Sequence, residues 1–176
     1  MLRDDLVALR PLSNSNLGSI VEALQDPEVS RWIPDIPYPY TEEHGRQFLN
    51  MAHQGWLSGR SAQFAIAASQ AEEFLGTVGA GKGDSDDASA DIGYWIAAPH
   101  RRRGFATRAL VLASRWCLSD WGLIRLQLNA DVRNEASLKV ATRAGFQREG
   151  TLRSIVQHGT RIDVAFFSLL SSDWQI

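Results

Sequence analysis

The chain has 176 residues and a mass of 19.5 kDa, the size of one ordinary domain. Hydrophobic residues make up 44% of it and charged residues 22%, close to globular averages, so disordered and collagen-like classes are excluded. The 18 Lys and Arg residues against 20 Asp and Glu give a net charge of -2, which argues against nucleic acid as a partner. All but two of the 18 cations are arginines, a bias that a GC-rich coding sequence would explain.

The cysteine and histidine content bears on redox chemistry and metals. Cys117 is the single cysteine, which excludes an intramolecular disulfide and a cysteine metal cluster. His44, His53 and His158 are not spaced as metal ligands, so no metal is expected. Charged residues precede any apolar run near the start of the chain, and no stretch reaches the roughly 18 apolar residues of a membrane span. We therefore expect a cytoplasmic protein without a membrane partner.

Hydrophobic periodicity predicts seven strands and four helices. The predicted strands are 6–12, 63–69, 74–81, 90–96, 123–131, 151–157 and 161–169, and the predicted helices are 14–25, 42–57, 104–119 and 134–144. The last two strands would turn at His158-Gly159. Strands and helices in this order predict a mixed α/β domain with one central sheet.

A proline-dense segment, residues 31–40, separates the first two helices. Prolines at that density disfavour regular structure, so we expect a loop that exposes Trp32, Tyr38 and Tyr40. Thr41 directly after it is a good N-cap for the next helix.

The helix predicted over 104–119 carries its apolar residues at the three-four spacing of a buried stripe. Because Cys117 falls on that stripe, we expect it in the core rather than in a nucleophilic role.

A turn rich in arginine joins the strand ending at Ile96 to the helix that starts at Gly104. The first amides of a helix have no internal partner and lie at the positive end of its dipole, which suits a phosphate. Gly104 lets the backbone approach a ligand closely, and Arg101, Arg102 and Arg103 add cationic donors. The pattern predicts an anion site; an arginine-rich solvated turn is the alternative interpretation. The P-loop and dinucleotide-binding signatures are both missing.

Two motifs carry a family resemblance. Arg101-Arg-Arg-Gly-Phe-Ala106 resembles the Arg/Gln-x-x-Gly-x-Gly/Ala signature of the GCN5-related N-acetyltransferase (GNAT) family. Asn134-Glu-Ala-Ser137, followed by Ala144-Gly-Phe146, resembles the second block of that family, and both motifs stand in the family's order. The resemblance implies a GNAT-like domain over residues 1–176, with about seven strands, about four helices and a splay between the fourth and fifth strands.

Three further segments resemble the branch that acetylates the N-termini of ribosomal proteins, the RimJ/RimL type. They are Asp26-Pro-Glu-Val-Ser-Arg-Trp32, Ile92-Gly-Tyr-Trp95 and Phe105-Ala-Thr107. The resemblance implies direct acetyl transfer from acetyl-CoA to a primary amine, most readily a protein or peptide α-amine. A small amine such as a polyamine or an antibiotic, or a CoA-binding module without catalysis, are the alternatives. Homodimers are frequent in the family.

The resemblance also implies which residues bind the coenzyme. The family's turn amides hold the pyrophosphate, and the end of the fourth strand pairs with the pantetheine arm. On this chain these positions, with the asparagine and serine of the second block, are Trp95, Ile96, Ala97, Arg101, Arg102, Arg103, Gly104, Phe105, Ala106, Thr107, Asn134 and Ser137. Asn134 is also an N-cap by its position.

Catalytic and acceptor residues are less completely indicated. Ser137 is a candidate general acid for the departing thiolate, with a local hydrogen bond at the helix end as its alternative role. The glutamate that some relatives carry on the strand after the second block is missing, so the general base stays unassigned; the candidates are Asp91, His100, Asp131 and Glu149. Trp32 and Tyr38 are candidate acceptor-binding residues, and core packing is the alternative for Trp32.

Overall fold

The computed structural model describes residues 2–33, 35–84, 87–157 and 159–173. It contains one mixed sheet of eight strands with five α-helices. The strands are β1 Leu2–Arg3, β2 Val7–Pro11, β3 Ser61–Ala68, β4 Phe74–Gly81, β5 Ser89–Ile96, β6 Arg125–Asp131, β7 Gln147–Gln157 and β8 Thr160–Leu170. The helices are α1 Leu17–Ala23, α2 Pro27–Trp32, α3 Glu42–Leu57, α4 Phe105–Ser119 and α5 Glu135–Arg143.

The sheet diverges between β5 and β6. Its strand order is β1-β2-β3-β4-β5-β6-β8-β7, and β5 and β6 form its parallel pair. Only residues 89–91 of β5 pair with 125–127 of β6, so the two strands separate toward their carboxyl ends. This confirms the splay that the resemblance implies, because β5 and β6 are the fourth and fifth of the strands predicted from the sequence.

Two hydrophobic clusters cover the two sheet faces. Ile92 and Ile96 of β5 pack in one cluster with residues of α4 and α5. Trp95, on the opposite face of the same strand, packs in the other cluster with residues of α1, α2 and α3. Cys117 is 1% exposed within the first cluster, which confirms its predicted core position.

The segment after residue 25 differs from the prediction. The expected loop over 31–40 begins inside α2, so Arg31 and Trp32 are helical. Proline fits the first position of a helix, where its missing N–H costs nothing, and the Asp26 side chain accepts a hydrogen bond from the Glu28 N–H at 3.0 Å. Tyr40 is another correction: it is 6% exposed and packs with α1 and α3 rather than facing solvent.

The other elements follow the prediction with shifted ends. β1 was not predicted, because two residues are too few to show a pattern. Leu123 is buried but precedes β6 rather than opening it. Thr41 caps α3 as expected, accepting from the His44 N–H at 3.3 Å. His158, in the predicted turn between the last two strands, lies outside the described residues.

No helix among the described residues is long and apolar enough to cross a membrane. Nor do three or more His, Cys, Asp or Glu side chains in this part of the chain come together as metal ligands.

Candidate functional site

A cleft of about 1010 Å³ opens where β5 and β6 diverge. The structure brings most of the predicted site residues to its walls: Trp32, Trp95, Ile96, Arg101, Arg102, Gly104, Phe105, Ala106, Thr107, Asn134 and Ser137. Tyr38, Ala97 and Arg103 are not among the lining residues. Motifs far apart in the sequence therefore meet around one cleft.

The start of α4 has the features of an anion site. Gly104 is its N-cap and adopts a left-handed conformation with φ 84°, which favours glycine. Glycine has no side chain that could cap the helix, and Phe105, Ala106 and Thr107, which line the cleft, carry the first amides of α4 without a side-chain cap. A Cβ added at Gly104 would meet only Leu6, at 4.0 Å, which leaves this side of the turn open.

The three arginines of the turn have different surroundings. The Arg101 guanidinium lies 2.7 Å from the Asp26 carboxylate, and its Nε donates to the Ile96 carbonyl at 2.9 Å. The Arg103 guanidinium lies over the Phe105 ring, 4.9 Å from its centroid. Arg102 is exposed and lines the cleft, and no ion pair to it is seen among the described residues. Arg101 therefore links separate elements of the structure, Arg103 contacts an aromatic ring, and Arg102 is the exposed arginine that lines the cleft.

The end of β5 presents backbone groups toward the gap. Residues 92–96 lie beyond the paired part of β5 and β6. Their backbone groups on the side of β6 therefore make no strand-pairing hydrogen bonds with β6. The Ala97 N–H donates to the Leu75 carbonyl at 2.8 Å and is therefore already engaged. Backbone donors for a ligand at this edge must come from the residues before Ala97.

Ser137 is held from two directions. The Asn134 side chain accepts from the Ser137 N–H at 3.1 Å, which confirms Asn134 as the N-cap of α5. The Ser137 Oγ lies 3.0 Å from the Tyr94 Oη, at hydrogen-bond distance. Tyr94 is not among the residues predicted for the site. Its place two residues from both Ile92 and Ile96 puts it on the same face of β5, the face that α4 and α5 cover.

Two of the four candidate bases are engaged by arginines. Asp131 lies in the cleft wall, and its hydrogen bonds with Arg133 lower the pKa of its carboxyl. Glu149 accepts hydrogen bonds from Arg125 and Ser168, which lower its pKa to about 2. A carboxylate stabilised in its ionised form is a weak proton acceptor.

The other two candidates, Asp91 and His100, differ in their relation to the cleft. Burial raises the pKa of Asp91, but Asp91 is not among the cleft-lining residues. His100 lines the cleft beside the arginine-rich turn, where it packs edge-on against Phe105 and its Nε2 lies 3.7 Å from a Glu73 carboxylate oxygen.

The wall on the α2 side is aromatic and carries charge. Trp32 is half-buried and donates from its indole N–H to Glu28 at 3.2 Å. The Arg31 guanidinium lies 4.8 Å from the Trp32 ring centroid and 3.0 Å from Glu28. Tyr38 does not line the cleft, and its side chain is 57% exposed. Its contact with the acceptor stays a prediction.

Sequence comparison identifies relatives of the whole chain. The family described as "Acetyltransferase (GNAT) domain" matches residues 7–147. A Bacillus licheniformis protein named "Uncharacterized N-acetyltransferase p20" is 27% identical over 174 residues, covering 98% of this chain and 97% of the relative.

Solved structures with the same fold carry different names. Mycobacterium smegmatis RimJ, in complex with CoA-disulfide, has a TM-score of 0.84 at 21% identity, covering 95% of this chain and 83% of that one. Spermidine N-acetyltransferase from Vibrio cholerae, in complex with CoA and spermine, has a TM-score of 0.82 at 20% identity, covering 97% and 98%. At these identities the likeness establishes the fold.

Proposed function

The chain belongs to the GNAT acetyltransferase family, and from that premise we propose that it acetylates the α-amine of a protein or peptide N-terminus. The acetyl donor is acetyl-CoA, as in the family, and transfer is direct between the two substrates in one complex. The observation that carries the proposal is the cleft itself, because the uncapped start of α4 and the fixed Ser137 both line the gap between β5 and β6.

The start of α4 would hold the coenzyme pyrophosphate. The amides after Gly104 supply donors at the positive end of the helix dipole, and Arg102 adds an exposed cation beside them. The pantetheine arm would extend along the unpaired edge of β5 and place the thioester near Ser137. Holding both substrates in this geometry accounts for most of the rate in such a reaction, of order 7–11 kcal/mol in favourable cases.

Ser137 would act as the general acid. The amine nitrogen attacks the thioester carbonyl carbon, the carbon–sulfur bond breaks, and the leaving sulfur takes the proton of the Ser137 hydroxyl. The attacking nitrogen releases its extra proton to water, and the serine regains one from water, so the charges balance. The Asn134 cap fixes the backbone that carries this hydroxyl.

The state of the candidate bases favours an α-amine over a more basic acceptor. Asp131 and Glu149 are engaged by arginines, so neither is suited to remove a proton from a strongly basic ammonium. An α-amine has a pKa of about 7.7–8.0, and roughly a third of it is already neutral at pH 7.5; a lysine or polyamine amine, with a pKa of about 10.4, is neutral in only about one molecule in a thousand. A site in which neither of these carboxylates is a strong base therefore suits the less basic amine.

A thiol-release assay tests the proposal. Acetyl-CoA is supplied with peptides that have a free N-terminus and no lysine, with N-terminally blocked peptides that contain lysine, with spermidine and with an aminoglycoside. We expect release with the free N-terminal peptides, and at least tenfold lower kcat/KM with the other amines. Faster turnover of spermidine or the aminoglycoside would overturn the proposed acceptor class, and tight acetyl-CoA binding without turnover on any amine would indicate a non-catalytic module.

A further inference from the structure

The contact between Tyr94 and Ser137 joins β5 to α5 inside the cleft. Their hydroxyl oxygens are 3.0 Å apart, and both residues line the cleft wall. The Ser137 N–H is already fixed by Asn134, so this second contact fixes the side chain as well. A serine hydroxyl otherwise rotates freely, and its hydrogen takes whichever direction its surroundings favour.

The surroundings of Tyr94 keep its hydroxyl protonated, so this oxygen is able to donate. Tyr94 lies between Ile92 and Ile96 on one face of β5, and both isoleucines are buried. Burial raises the pKa of Tyr94 to about 12, partly offset by the hydrogen bond with Ser137. The phenol therefore carries its hydrogen at every pH at which the protein would be assayed, and it can always donate.

We propose that Tyr94 is a positioning residue that donates its hydroxyl hydrogen to Ser137 Oγ and so directs the serine's own hydrogen toward the leaving sulfur. The inference rests on the proposed function, because it assigns a second group to the same acid step. When the sulfur takes the Ser137 proton, the charge that develops on Oγ meets a donor already in place. Tyr94 keeps its own proton throughout, so the proton balance of transfer is unchanged.

The arrangement explains how a weakly acidic hydroxyl can serve as the acid. A hydrogen bond to an oxygen that gains negative charge is worth more than one between neutral groups, particularly where burial lowers the local dielectric. Removing the Tyr94 oxygen should thus slow transfer without affecting the binding of either substrate.

Tyr94→Phe is the test, with Tyr40→Phe as the matched control because Tyr40 is a buried tyrosine of the other hydrophobic cluster. We expect Tyr94→Phe to lower kcat about tenfold while the acetyl-CoA Kd and the acceptor KM stay within twofold. Tyr40→Phe should leave all three unchanged. Ser137→Ala should lower kcat further, and Tyr94→Phe added to Ser137→Ala should cost nothing more, since the tyrosine acts through the serine.

Each other outcome has a distinct meaning. Wild-type protein that transfers acetyl to no amine would remove the proposed function and this inference with it. Active wild type with an unchanged kcat in Tyr94→Phe would overturn the inference alone. So would a loss of acetyl-CoA affinity in Tyr94→Phe, which would make the contact structural. An additive loss in the double variant, or full activity in Ser137→Ala, would mean that Tyr94 does not act through Ser137.

Discussion

The Arg101 guanidinium lies 2.7 Å from the Asp26 carboxylate, and this ion pair joins the turn before α4 to the N-cap of α2. The same guanidinium donates to the Ile96 carbonyl at the end of β5. One side chain therefore connects the proposed coenzyme side of the cleft with α2, the helix that carries Trp32 on the proposed acceptor side.

Asp26→Asn should separate the two roles of Asp26. Asparagine is as good an N-cap as aspartate, so the substitution keeps the cap of α2 and removes the charge that Arg101 meets. We expect a stability loss under about 1 kcal/mol, because the pair is partly exposed, and an acceptor KM raised severalfold at unchanged acetyl-CoA Kd. Asp26→Ala should cost about 1 kcal/mol more through the lost cap. Urea unfolding measures the free energy of unfolding, and steady-state kinetics measure the acceptor KM. An altered acetyl-CoA Kd with an unchanged acceptor KM would contradict the link to α2.

Gly104→Leu should abolish acetyl-CoA binding. The leucine side chain would project into the open side of the turn, where the coenzyme phosphates are proposed to bind. Gly122→Leu is the matched control, since Gly122 has φ 74°, similar backbone strain and no atom within 4 Å of an added Cβ, and it lies beyond the other end of α4. Calorimetry should show more than tenfold weaker binding for Gly104→Leu and unchanged binding for Gly122→Leu, with similar losses in Tm. Equal affinity in the two variants would remove the phosphate site from this turn.

Arg102→Gln should weaken acetyl-CoA binding and reduce its salt dependence. Arg102 is the exposed arginine of the run that lines the cleft, whereas Arg103 lies over Phe105 outside the lining. Long-range attraction to phosphate is screened by salt, so losing that cation flattens the dependence of Kd on ionic strength. We expect about fivefold weaker binding at low salt for Arg102→Gln and less than twofold for Arg103→Gln. Fluorescence titrations at several salt concentrations measure both, and the reverse ranking would contradict this assignment.

Much of the fold was predictable because its elements carry local signals. α3 and β4 have their predicted bounds, since a capping threonine opens the helix and turn residues flank the strand. α2 is not among the predicted helices, although Asp26 before Pro27 is a typical helix start. The two-residue β1 gains its strand character only by pairing with β2, which no local pattern reveals.

The site was predictable where a motif carried it. Asn134 is the N-cap that its position indicated, and Gly104 lies where helix α4 was predicted to start. The Arg101–Asp26 pair joins residues 75 positions apart and depends on tertiary structure alone. Tyr94 lies in the Ile92–Trp95 segment, but its contact with Ser137 depends on how β5 and α5 are placed relative to each other.

Cys117→Ala should change how stability depends on alkaline pH. Burial raises the pKa of the Cys117 thiol to about 12 from 9.0, so above pH 9 the unfolded thiol ionises while the folded one stays protonated. The unfolded state then binds fewer protons, and stability falls as pH rises, by up to about 1.4 kcal/mol per pH unit; below pH 9 the effect is absent. Urea unfolding between pH 7.5 and 10 should show this slope in the wild type and a flatter one in Cys117→Ala. Parallel curves would contradict a buried, protonated thiol.

A competition between two amines of one peptide separates the proposed acceptor from its alternatives. A peptide with both a free N-terminus and a lysine is incubated with acetyl-CoA and the protein at pH 7.5, and tandem mass spectrometry locates the acetyl group. We expect acetylation of the α-amine, with less than a tenth of the product on the lysine, and a Ser137→Ala reaction at least tenfold slower at the same nitrogen. Predominant lysine acetylation, or unchanged rates in Ser137→Ala, would contradict it.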